Sequence, residues 1–63
     1  MKLATIRKEQ NLSQSELSRK AGVNCQMIQK YEQGTKDINK ASALTLYKIS
    51  KVLNCKIEDL LEL

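Results

Sequence analysis

Proline and histidine are absent from this chain of 63 residues, and glycine occurs only twice, at Gly22 and Gly34. Each absence removes a class of reading. Without proline nothing forces a break inside a helix, so helix is the default and its interruptions must be read from caps. Without histidine the commonest general base is missing. The two cysteines, Cys25 and Cys55, have no zinc-ligand spacing and are no disulfide framework. With no nucleophile–base pair, phosphate-binding loop or metal set in view, no enzyme, cofactor or metal is expected. The longest apolar run is far short of a membrane span and residues 1–20 lack a signal-peptide core. A soluble, reduced, cytoplasmic protein with no membrane partner is therefore expected. Alternating strand-like runs, repeats and low-complexity tracts are missing too, which argues against a sheet.

What is present is the composition of a folded domain: 41% hydrophobic and 29% charged, with both signs interspersed. Residues 1–63 read as one domain, of a size that buries only roughly 60% of the surface its unfolded chain exposes. An enclosed catalytic pocket is hard to build at that size. The balance is basic, 11 Lys+Arg against 7 Asp+Glu, for a net charge of +4. Residues 1–34 hold six of the cations and three of the acids, and residues 35–63 hold five and four. Positive charge favours a polyanionic partner, and its bias marks the N-terminal half as the nucleic-acid face.

Caps and periodicity predict five helices. The first covers about 2–10, with Leu3, Ile6 and Gln10 on one side, and stops at Asn11, which tolerates the left-handed conformation. Ser13-Gln14-Ser15-Glu16 is a capping box that starts the second helix, which runs to Ala21 and buries Leu17 and Ala21. Gly22 supplies a tight turn, Val23 plugs it, and Asn24 caps a third helix over about 25–33, closed by Gly34. A polar loop over 35–39 leads to a fourth helix over about 40–53, with Leu46, Ile49 and Leu53 aligned and Asn54 at its end. A short fifth helix over about 57–62 presents Ile57, Leu60 and Leu61. Cys55, among apolar residues, reads as core, and Lys48, Lys51 and Lys56 read as a solvated face.

Two short helices joined by a glycine turn form a helix-turn-helix unit, whose second helix enters the major groove of DNA. Gln26, Gln29, Lys30 and Gln33 fall at i, i+3, i+4 and i+7, one continuous stripe opposite Ile28 and Tyr31. An ordinary solvated face mixes Glu and Lys. Three glutamines of four residues fit base readout better, because the amide both donates and accepts and binds adenine N6/N7 bidentately.

The ordered set Leu12-Ser13-Gln14-Ser15-Glu16-Leu17, Ala21-Gly22-Val23, Ile28 and Tyr31-Glu32-Gln33-Gly34 resembles the lambda repressor/Cro-like helix-turn-helix family, the XRE family. The stretches Leu46 to Leu53 and Ile57 to Leu61 resemble that family's last two helices. The resemblance covers almost the whole chain and implies an all-α, five-helix lambda-repressor-like bundle that binds operator DNA. It places Gln26 and Lys30 at base edges, flanked by Cys25 and Gln29. It places Gln14, Asn24, Gln33, Thr35 and Lys36 at phosphates, where helix N-termini and a lysine suit an anion. It also implies an ion pair between Arg7 and Glu32. Asn11 and Asn54 stand where the family usually has glycine, Ser18 where a small alanine is common, and the loop 35–43 is longer than in compact phage repressors.

The expectation is thus a transcription regulator, a repressor, that binds double-stranded DNA. A single helix reads too few base pairs to find a genomic site, so a homodimer on a pseudo-palindrome is expected, with half-sites about 34 Å apart. Leu60, Leu61 and Leu63 are the expected dimer surface, because a thin core cannot bury them all. The alternative is an antitoxin-like or adaptor module acting through a protein partner, to which exposed leucines at the C-terminal end are suited. Cys25 at the first turn of the reading helix has two readings: a redox-sensitive thiol, or a small side chain beside a thymine methyl, the latter favoured.

Overall fold

The computed structural model describes residues 1–63 and contains four α-helices and no strand: α1 (Lys2–Glu9), α2 (Gln14–Ala21), α3 (Cys25–Gln33) and α4 (Ala43–Leu53). Two single 3-10 turns, Ile38–Lys40 and Ile57–Leu60, complete the regular structure. The starts of α2, α3 and α4 are set by side-chain oxygens. Ser13 Oγ accepts from Glu16 N–H at 3.0 Å while Glu16 Oε1 accepts from Ser13 N–H at 2.9 Å, a reciprocal capping box. Asn24 Oδ1 accepts from Gln26 N–H at 2.7 Å, and Ser42 Oγ accepts from Thr45 N–H at 3.1 Å.

Helix ends are set by the left-handed conformation. Gly22 (φ 68°) and Gly34 (φ 82°) follow α2 and α3, while Asn11 (φ 58°) and Asn54 (φ 53°) take the same conformation after α1 and α4. At the α1 end the Leu12 N–H reaches back to Arg7 O at 3.2 Å, so the chain turns sharply and α2 folds back on the bundle.

Every element contributes to one core. Leu3 comes from α1, Leu17 and Ala21 from α2, Ile28 and Tyr31 from α3, and Leu46, Ile49 and Leu53 from α4. Ile38 and Leu60 enter from the two 3-10 turns. Only 12 of the 63 residues are buried, so the core is one side chain deep and each member is hard to replace.

Four expectations are corrected. The fourth helix begins at Ala43, not near 40: Ala41 and Ser42 are extended, Ser42 caps α4, and Ile38–Lys40 form a separate turn that lets Ile38 reach the core. The expected fifth helix is a 3-10 turn, in which Asp59 N–H donates to Lys56 O and Leu61 N–H to Glu58 O, so the bundle has four α-helices. Leu61 is then extended, because the next residue is held from elsewhere. Glu62 N–H donates to Asn39 Oδ1 at 2.8 Å, Asn39 Nδ2 donates to Glu62 O at 3.0 Å, and Glu62 Oε2 accepts from Lys2 N–H at 2.8 Å. Thirdly, the C-terminal leucines do not form an exposed surface. Leu60 is fully buried, Leu61 is half-buried against the core, and Leu63 alone is exposed. Gln10, expected on the face of the first helix, lies just past its end and donates to Leu53 O at the end of α4.

The asparagine at the end of α4 gives a direct test. A left-handed residue bearing an ordinary Cβ costs about 1–2 kcal/mol, which asparagine partly escapes and glycine avoids. Asn54→Ala should lower stability by about 1 kcal/mol and the melting temperature by about 4–8 °C. Asn54→Gly should match or exceed the wild type. Thermal melts followed by circular dichroism decide it; equal melting of Asn54→Ala and wild type would contradict the assignment.

Candidate nucleic-acid interface

The turn between α2 and α3 is three residues long, from Gly22 to Asn24, and presents α3 at the surface. One face of α3 is locked into the body by Ile28 (0% exposed) and Tyr31 (2%). The opposite face carries Gln26, Gln29, Lys30 and Gln33, all exposed. The side chains of Gln26, Lys30 and Gln33 have no hydrogen-bond or ionic partner within the molecule. Gln29 Nε2 approaches Cys25 Sγ at 3.8 Å, a weak contact between the two residues expected to flank the base readers. Cys25 itself is half-buried at the first turn.

The expected phosphate residues are placed less uniformly. Asn24 is exposed, but its carbonyl oxygen is engaged as the α3 cap, leaving its amide NH2 free. Lys36 is exposed without a partner. Thr35 donates its hydroxyl to Lys30 O at 3.3 Å, and the Thr35 and Lys36 N–H groups point to the same carbonyl. Those amides therefore close the end of α3 and are not offered outward. Gln14 is half-buried at the first turn of α2 and donates one N–H to Glu32 Oε1 at 2.9 Å, which fixes the direction of its second.

Behind this surface lies the pair of Arg7 and Glu32. Arg7 Nε meets Glu32 Oε2 at 2.8 Å and Nη2 meets Oε1 at 2.8 Å, a bidentate fork, while Nη1 donates to Leu12 O at 2.7 Å. Both side chains are more than nine-tenths buried, deeper than the residue types alone suggest. The network joins α1, the loop after it, the start of α2 and the end of α3.

A family described as Helix-turn-helix matches residues 3–60. The chain belongs to the XRE family of helix-turn-helix proteins. No curated protein and no solved structure matches it. XRE-family membership makes the domain a DNA-binding regulator in the general sense. No helix is long and apolar enough to cross a membrane.

In this XRE-family domain the electrostatics favour the charged forms of the pair. Burial pushes the Glu32 carboxyl up, but hydrogen bonds from Arg7 and Gln14, with the charges of Arg7 and Lys8, outweigh it and hold the carboxyl below its ordinary value. The hydrogen bond to Glu32 holds the Arg7 guanidinium above its own ordinary value against the opposing effect of burial. The Gln14–Glu32 bond was invisible as a pair in the sequence, since the residues are 18 positions apart. Asp37, whose Oδ1 accepts from Asn39 N–H at 2.9 Å, also escaped notice, although Asp-x-Asn is a readable local turn signal.

Removing one partner should be severe. Glu32→Ala leaves a buried guanidinium uncompensated, at about 3–5 kcal/mol, comparable to the ~5 kcal/mol total of a marginal domain. The variant should be largely unfolded by circular dichroism, and a wild-type melting curve would contradict the buried pair. The sign with pH follows from the lowered carboxyl. Its contribution is complete above the ordinary value of 4.5 and is lost as pH falls through the lower folded value. Glu16, lowered by accepting from the Ser13 backbone and hydroxyl, acts in the same direction. Any folded Glu32→Gln protein should therefore show a flatter loss of stability below that pH, measured by urea melts across the acid range.

Proposed function

We propose that this helix-turn-helix domain is a sequence-specific double-stranded DNA-binding transcription regulator that represses by occupying its operator. The observation that carries the reading is the outer face of α3. Gln26, Lys30 and Gln33 stand unpartnered on a helix whose other face is fixed in the core. Side chains held at a defined position with free donors and acceptors suit the major groove, where base edges display a unique hydrogen-bond pattern. Gln26 and Lys30, one turn apart, read the bases, with Cys25 and Gln29 beside them. Gln14, Asn24, Gln33 and Lys36 hold phosphates, and Thr35 shapes the loop that presents Lys36.

Two copies act together on a pseudo-palindrome. Half-sites on one face of the duplex lie about 34 Å apart. A body with extents of 24 × 22 × 20 Å placed on each comes within side-chain reach of its neighbour. Such a regulator works in the compartment that holds the DNA, the cytoplasm.

Base readout and backbone grip predict different kinds of mutant. Gln26→Ala should cost about 1–3 kcal/mol on the preferred site, selected from a random duplex pool, and relax discrimination at one base-pair position. Lys36→Ala should weaken all sequences nearly equally and make log K less dependent on log [salt], by about 0.9 in slope per cation lost. Titrations of each variant against the preferred site and its single-base variants check both. A uniform loss for Gln26→Ala, or binding indifferent to salt, would overturn the assignment.

A further inference from the structure

The outward face of α4 takes no part in the helix-turn-helix, yet it carries two of the four large apolar side chains left exposed: Leu44 (62%) and Tyr47 (51%). Single exposed apolar residues are ordinary, but these two lie at i, i+3 and are neighbours on one face. Lys51, one turn beyond, holds its ammonium 5.3 Å from the centroid of the Tyr47 ring. Past the ring the surface dips into a groove of about 300 Å³ bordered by Tyr47, Lys51, Cys55, Lys56, Ile57 and Glu58. Cys55 and Ile57 are half-buried and pack on the core, so the floor of the groove is apolar and held in place. No residue of α3 or of the loop after it lines the groove.

Charge decides what fits. Lys51 and Lys56 border the groove, and Lys48 lies on the same helix face as Leu44. The acids beside the groove are Glu58 at its edge and Asp59, close enough to act on Cys55. A second copy seated on this face by two-fold symmetry sets three lysines against three, an excess that Glu58 and Asp59 of each copy do not cancel. A DNA backbone would satisfy the lysines but lay phosphates against Leu44 and Tyr47 and leave the groove unfilled. An aromatic centre with a charged rim is instead the anatomy of a protein docking patch.

We propose that the α4 face docks an acidic, amphipathic segment of a partner protein. An apolar side chain of that segment enters the groove beside Tyr47, and its carboxylates pair with Lys48, Lys51 and Lys56. The site is separate from the α3 face, so partner docking does not depend on which bases the domain reads.

The test is a nuclear magnetic resonance titration of the isotope-labelled full chain with a short synthetic peptide bearing leucines one turn apart among glutamates. A control peptide carries lysine in place of glutamate. Shifts should concentrate on residues 44–58 with the acidic peptide and be absent with the control. Tyr47→Ala should weaken binding at least about tenfold. Tyr47→Phe should retain it, and Lys51→Glu combined with Lys56→Glu should abolish it. Tyr47 is half exposed, and melting curves of the variants would show that the fold is kept. Shifts centred on α3, shifts spread over all lysines, or no shifts would each overturn the proposal. So would a dimer in sedimentation that Tyr47→Ala dissolves, which makes a second copy the occupant. Protection of Leu44 and Tyr47 by a DNA duplex would overturn it too, making the face part of the DNA contact.

Discussion

The guanidinium of Arg7 grips two other parts of the chain at once, and it ties α3 to the rest of the bundle. Its fork takes both oxygens of Glu32 near the end of α3, and its remaining nitrogen takes Leu12 O in the turn before α2. Glu32 in turn orients Gln14 at the start of α2. Desolvating two charges costs several kcal/mol per ion, and only full hydrogen bonding offsets it. No buried side-chain nitrogen or oxygen in this protein lacks a partner, so that condition is met. The benefit over an apolar contact of equal volume is geometric. A planar bidentate fork fixes both distance and plane, whereas packed methyl groups tolerate sliding.

Rigidity of this kind compensates for a core that is thin. With 12 buried residues the bundle has little apolar surface to define how its helices meet. Polar ties therefore carry much of the definition: Gln10 to the end of α4, and Glu62 to both Asn39 and the first turn of α1. The last of these brings an acidic side chain to the positive end of a helix that has no cap of its own, since Met1 supplies none. Chain ends distant in sequence thereby stabilise each other.

The two outward faces differ in chemistry as their proposed partners differ. On α3, amides dominate, and an amide discriminates between bases by hydrogen-bond pattern while adding little long-range attraction. A net charge of +4 supplies that attraction in moderation. On α4, an aromatic and a leucine stand among lysines, a mixture that discriminates by apolar fit first and by charge second. The two proposed surfaces share no residues.

Local signals in the sequence were sufficient for most of what depends on neighbours along the chain, the Asp37 turn and the Ser42 cap excepted. The Ser13–Glu16 box, the Asn24 cap, the glycine ends and the left-handed asparagines each involve residues within a few positions, and the structure has them at those places. The stripe on α3 was legible for the same reason, since helical period alone puts Gln26 and Lys30 on one face. Resemblance to the XRE family supplied the pairing of Arg7 with Glu32, which spacing along the chain cannot reveal. Tertiary structure decided the remainder. Residues 57–60 have the composition of a helix, but the clamp of Asn39 on Glu62 holds the following chain extended and stops them after one turn. Ile38, expected in a polar loop, is drawn into the core from a separate turn over Ile38–Lys40, and α4 starts only at Ala43. Leu60 is buried and Leu44 exposed although both are leucines. Burial depends on which side of an element the rest of the molecule occupies, and that is a property of packing, not of the residue.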